Sequence, residues 1–167
     1  METQLLFQTD SYIKTFDATV IAANGADVAL DATAFYAGGG GQPCDTGSLS
    51  DGAQTWRVVK VRREDPLVWH TVEGDPPVVG ASVRGALDWD ARYALMRTHT
   101  ALHLLCGVVW RDYGAQVTGG NMEPLAGRMD FEFESLRHEL VEEIESRVNA
   151  EVEADDLHDA HLGDRLG

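Results

Sequence analysis

A chain of 167 residues, 44% hydrophobic and 25% charged, can bury a sizeable core as one large domain or two small ones, which excludes a wholly disordered protein. Its 28 acidic against 13 basic residues, a formal net charge of −15, argue against a nonspecific nucleic-acid binder, because the phosphate backbone rewards clustered Lys and Arg. An enzyme acting on an RNA end through a local basic patch stays open.

The first half of the chain reads as β. Residues 13–21 alternate weakly, Asn24-Gly25 is a hairpin turn signal, and 27–32 return as a second strand. A glycine-dominated loop follows over 37–47. Residues 55–63 (TWRVVKVRR), 67–72 (LVWHTV) and 82–87 are further short strands between Gly, Asp and Pro turns, a spacing that predicts a small barrel or sandwich. From 88 to 113 the pattern turns helical, with Asp88 or Asp90 as N-cap and Gly114 as C-terminal stop. Leu95, His99, Leu102, Cys106 and Val109 recur on one face of that helix. Strict alternation over 128–134 (RMDFEFE) predicts a half-buried strand. A second helix begins at Ser135, with Leu136, Leu140, Val141, Ile144 and Val148 as its apolar stripe. The acidic stretch after Ala150 is nearly devoid of large apolar residues and reads as frayed or disordered.

Two constellations carry chemistry. On a helix, His99 and His103 lie one turn apart on one face, so both imidazoles can reach one metal ion. Thr100 follows the first histidine where a metalloprotease helix has its glutamate, which excludes that mechanism. Leu102, Leu104, Leu105 and Val108 surround the pair, and partly buried imidazoles need a partner. The bland alternative is two ordinary polar side chains. The second constellation is Phe35-Tyr36 followed by Gly38, Gly39, Gly40, Gly41 and Gln42. Four consecutive glycines permit positive φ and close backbone approach, as in a loop that cradles a ligand through its N–H groups; the alternative is a flexible linker. Candidate basic patches are Arg57, Lys60, Arg62 and Arg63, and separately Arg92 and Arg97. Cys44 and Cys106 are too few for a disulfide framework and fit a reducing compartment. The N-terminal residues lack the pattern of a secretory signal, and no apolar stretch reaches the roughly 20 residues that span a bilayer, so the sequence reads as cytoplasmic with no membrane partner.

The ordered set FYAGGGGQPCDTG, RTHTALHLL, VTGGNMEPLAGRMDFEFE and RVNAEV resembles the editing domain of alanyl-tRNA synthetase and the freestanding AlaX trans-editing proteins. The resemblance implies an α+β fold. A small glycine-rich β-barrel domain (1–87) precedes an incomplete editing domain (88–154), and an acidic tail (155–167) follows. It implies zinc-dependent hydrolysis of seryl- or glycyl-tRNA(Ala), with the acceptor end of tRNA(Ala) as partner. His99 and His103 match the first two zinc ligands. Gly39, Gly40, Gly41 and Gln42 match the loop that closes over the aminoacyl end. Thr98 and Thr100 flank the first ligand as candidates for substrate or water contact, with no catalytic role assigned.

One part of the family pattern is missing. The later Cys-x-x-x-His pair that completes the zinc shell does not occur in this sequence, and the similarity stops near Ala150. His158 and His161, with Asp155, Asp156 and Asp159 nearby, are substitutes to consider, as are Cys106 and Cys44. The sequence therefore predicts an abbreviated relative whose uncovered apolar surface favours self-association or a complementing chain. A binding-only remnant without hydrolytic activity is the rival to the enzyme.

Overall fold

Alternation along the first half of the chain becomes a closed antiparallel barrel. The computed structural model describes residues 2–133 and 137–163, with side chains as far as 154. In chain order the elements are β1 (Gln4–Leu5), a 3-10 turn (Leu6–Gln8), β2 (Thr15–Asn24), β3 (Asp27–Leu30), β4 (Ala32–Thr33), β5 (Gly47–Ser50), β6 (Thr55–Glu64), β7 (Leu67–Val72) and β8 (Ser82–Leu87). They are followed by α1 (Trp89–Tyr113), β9 (Val117–Glu123), β10 (Ala126–Phe131) and α2 (His138–Gly163). The class is α+β, as expected. Two compact units divide at Leu95/Met96, so the first turns of α1 belong with the barrel.

The barrel order is β2-β3-β7-β6-β5-β8, and closure settles the choice between barrel and sandwich. Its closing strand, β5, has the sequence GSLS, which carries no strand signal of its own; pairing with β6 on one side and β8 on the other holds it extended. Phe16, Val20, Val28, Leu30, Phe35, Leu49, Val58 and Val61 fill the interior. Along β6, Trp56 and Val58 point inward, yet the next buried residue is Val61, three positions on. A bulge between Val58 and Lys60 absorbs the extra residue, leaving Val59 41% exposed and turning Lys60 outward. Period-two reading of the sequence would have turned Lys60 inward.

A histidine lies in this apolar interior. His70 is fully buried; its Nδ1–H donates to the Val28 carbonyl at 3.2 Å, and its Nε2 lies 2.9 Å from the Thr33 hydroxyl. A carbonyl can only accept, so Nδ1 carries the proton and Nε2 accepts from Thr33. Burial pushes the His70 pKa down from 6.5 to about 4. Below pH 6.5 the unfolded chain binds a proton there that the folded one refuses, so stability falls as pH drops from 6.5 towards 4. The loss across that window is about 3 kcal/mol from this residue. Urea midpoints measured between pH 7 and 4 should fall more steeply in the wild-type protein than in His70→Gln. Parallel slopes for the two proteins would refute a neutral His70.

In the second unit, β9 and β10 form an antiparallel hairpin, and Val109, Ala115 and Ile144 make a small core with Leu105, Phe131, Phe133, Leu140 and Val148. The expected stripe on α2 supplies Leu140, Ile144 and Val148 to it, whereas Val141 is 43% exposed. Leu136, and the start of the helix expected at Ser135, lie outside the described residues. Gly114, with φ +66° and its N–H bonded to the Trp110 carbonyl, ends α1 as expected. The backbone of α2 is helical through 155–163, part of the expected acidic tail; the side chains there, His158 and His161 among them, lie outside the described residues.

Candidate functional site

The glycine run folds into a defined tip. Gly39 N–H donates to the Gln42 carbonyl at 3.0 Å and Gln42 N–H donates back to Gly39 at 3.1 Å, closing a two-residue turn. Gly40 and Gly41 occupy its centre with φ of +61° and +83°, the mirror-image turn that side chains oppose. The loop is thus hydrogen-bonded rather than a linker, and the amides of Gly39 and Gln42 are committed to the turn. Tyr36 braces it, with its hydroxyl donating to the Gly39 carbonyl at 3.3 Å and its ring edge-on to Phe7.

The base of this loop is tied down by a pair that sequence reading missed. Asp45 accepts from the Tyr36 amide at 2.6 Å and from the Arg92 guanidinium, and both charged side chains are at most 5% exposed. Arg92 also donates to the Ser11 and Ala34 carbonyls, at 3.1 and 2.8 Å. Arg92 is therefore an internal strut and not part of a basic surface. The other patch is likewise engaged: Arg57 pairs with Asp88, Arg62 with Asp27 and Glu64, and Arg63 with Asp65. Among the described residues Lys60 and Arg97 make no ion pair. Asp88 gives its backbone carbonyl to the Arg92 amide at the start of α1, while its carboxylate accepts from Arg57 and Thr46. The Arg57 guanidinium holds the Asp88 carboxyl below the usual range, with the Thr46 hydroxyl adding to it.

His99 and His103 do meet. Their Nε2 atoms are 2.8 Å apart and their ring centroids 4.6 Å, as the one-turn spacing requires. Both rings are exposed, which corrects the expectation of partly buried imidazoles: the neighbouring Leu102, Leu104 and Leu105 are half-buried, whereas the two histidines take the solvent side. One hydrogen bond between two Nε2 atoms needs one N–H and one lone pair. With both rings metallated on a tetrahedral zinc those nitrogens would stand about 3.3 Å apart, so opening the pair by about 0.5 Å would fit it to two ligand positions. Among the described residues no group of three or more His, Cys, Asp or Glu side chains could hold a metal ion, so the rest of a shell is not drawn from them. Burial pushes the Cys106 thiol up from its ordinary range.

Thr98 is buried and committed. Its hydroxyl donates to the Glu123 carbonyl at 3.2 Å and accepts from the Leu125 amide at 2.9 Å, clamping the β9–β10 turn to α1. That turn contains Leu125 at φ +61°, a conformation a leucine adopts only where its surroundings hold it. Thr100 is exposed. The glycine tip belongs to the first unit and the histidine pair to the second.

Residues 4–91 match the family described as tRNA synthetases class II (A). The chain is 42% identical over 156 residues to the alanine–tRNA ligase of Pyrobaculum aerophilum, covering 91% of this chain and 18% of that protein. It is 37% identical over 156 residues to the alanyl-tRNA editing protein AlaX-M of Saccharolobus solfataricus, covering 90% of this chain and 66% of that one. Against the AlaX-M protein of Methanosarcina mazei the figures are 39% over 157 residues, 88% and 62%. The chain thus spans under a fifth of the ligase and about two thirds of the AlaX-M proteins.

Proposed function

Because this chain belongs to the alanyl-tRNA synthetase editing family, we propose that it hydrolyses mischarged tRNA(Ala), seryl- or glycyl-tRNA(Ala), with zinc held by His99 and His103. The observation that carries the reading is the convergence of two exposed imidazole Nε2 atoms at 2.8 Å on a solvent-facing helix turn. Bound there, zinc would polarise an ester carbonyl, acidify a water or hold a substrate amino group.

The protein's own residues have simpler tasks. His99 and His103 present lone pairs to a common point, and each must be neutral to do so. Thr98 fixes the backbone just before His99 against the β9–β10 turn. Gly39, Gly40, Gly41 and Gln42 are assigned to the aminoacyl end, where a preformed turn binds without first having to be ordered. A site that hydrogen-bonds the seryl hydroxyl would reject alanine, since its own polar groups would be left unpaired. Further zinc ligands would come from side chains beyond those described or from a second chain. The cytoplasm, where the two unpaired cysteines stay reduced, is the proposed location.

One observation favours a second reading: with no third ligand near the pair among the described residues, the chain could bind tRNA or a partner without hydrolysing it. One assay separates the two. Seryl-tRNA(Ala) deacylation should depend on added zinc, spare alanyl-tRNA(Ala), and fall at least about a hundred-fold in His99→Ala. Folded protein that retains tRNA binding but shows no turnover with zinc would sink the hydrolase and leave the binding remnant.

A further inference from the structure

Outside both constellations, three aromatic side chains form a row at the start of α1. Trp89 and Tyr93, one turn apart, stack with ring planes 22° apart and centroids 5.9 Å apart. Tyr12, from the segment before β2, approaches Trp89 at 5.9 Å and 46°. Lys14 places its ammonium 4.7 Å from the centre of the Trp89 ring. Tyr12 is 61% exposed and Tyr93 46% exposed, so the row serves no core.

The row is also held in place. Asp10 accepts from the Tyr12 amide at 2.8 Å, and the Ser11 carbonyl accepts from buried Arg92. Two exposed tyrosines on a fixed backbone, flanking a tryptophan that already carries a cation, are what a flat π-ligand needs: ring faces to stack on and little ordering to be done.

We propose that Tyr12, Trp89 and Tyr93, with Lys14, form a stacking site for unpaired bases of RNA. The choice of RNA over another flat ligand rests on the tRNA reading above; the site itself rests on the geometry. Charge specifies the mode further. Lys14 is the row's cation, Asp88 is neutralised by Arg57, and Asp10 and Asp90 flank the row in sequence, so phosphate attraction is weak and the ring faces must do the binding. Affinity should therefore depend little on salt, with a log–log slope of about −0.7, the value for one cation on a single strand.

The test is fluorescence anisotropy of a labelled single-stranded RNA hexamer, free and annealed into a duplex, without zinc and without any aminoacyl ester. The single strand should bind and the duplex should not. Removing each outer ring, in Tyr12→Ala and Tyr93→Ala, should weaken binding about ten-fold, while the matching Phe variants keep it, because stacking uses the ring face and not the hydroxyl. Equal affinity of the Ala variants and wild type, equal affinity for the duplex, or no binding of the hexamer would overturn the proposal and leave the row as a protein-contact face. Because the assay needs no catalysis, an inactive chain that binds through the row would disprove hydrolysis alone. An active one whose binding and KM ignore the row would disprove this site alone.

Discussion

Arg92→Ala is expected to destabilise the protein by about 3–5 kcal/mol, the cost of leaving one partner of a buried ion pair uncompensated. The guanidinium uses its three nitrogens in three directions: towards Asp45, towards the Ser11 carbonyl and towards the Ala34 carbonyl. Its removal strands the Asp45 carboxylate at 3% exposure, with the Tyr36 amide as its remaining donor. Four segments then lose their common tie: the turn before β2, the stretch after β4, the base of the glycine loop and the first turn of α1. The expected readout is a fall of roughly 2 M in the urea midpoint. Arg92→Lys should recover less than half of it, since a single ammonium cannot reach all three acceptors. A loss within about 1 kcal/mol would instead mark the pair as an ordinary solvated bridge.

The second large effect concerns the seam where the barrel closes. Gly47 opens β5 beside β8, and a Cβ built there would stand 2.1 Å from the Ala86 carbonyl oxygen and 2.8 Å from the Phe35 ring. The first contact is backbone on a paired strand and cannot rotate away. Gly47→Ala should therefore cost about 3 kcal/mol or more through overpacking, or part β5 from β8 and yield no folded barrel. Gly107→Ala is the matched control: it lies within α1 with nothing within 4 Å of the added carbon, so the same methyl should raise stability by up to about 1 kcal/mol through helix propensity. Denaturation midpoints of the two variants moving in opposite directions would support the account. Similar midpoints would show that the closing seam is looser than the geometry requires.

Much of the architecture was legible from local pattern. Alternation located β2, β3, β6, β7 and β8, the three- and four-residue recurrence located α1, and Gly114 marked its end. The histidine pair was legible for the same reason, because residues one turn apart on a helix must be neighbours whatever surrounds them. β5 and β9 were not found: GSLS and VTGGNME are poor in the β-branched and aromatic residues that announce a strand, and pairing alone keeps them extended. Arg92 looked like surface charge because its partner lies 47 residues away, with no periodicity linking them.

The sequence by itself determined most strands and helices, the place of the glycine loop and the spacing of His99 and His103, all of which depend on interactions within a few residues, while the α+β class was legible through the family resemblance. Only the tertiary structure decided that six strands close on themselves, that a bulge turns Lys60 out and Val61 in, that Arg57 and Arg62 of β6 pair with the distant carboxylates of Asp88 and Asp27, and that the histidines face solvent while Arg92 does not. Those outcomes depend on which remote segment arrives beside each side chain, and hence on strand closure and burial, which leave no local trace in the order of the residues.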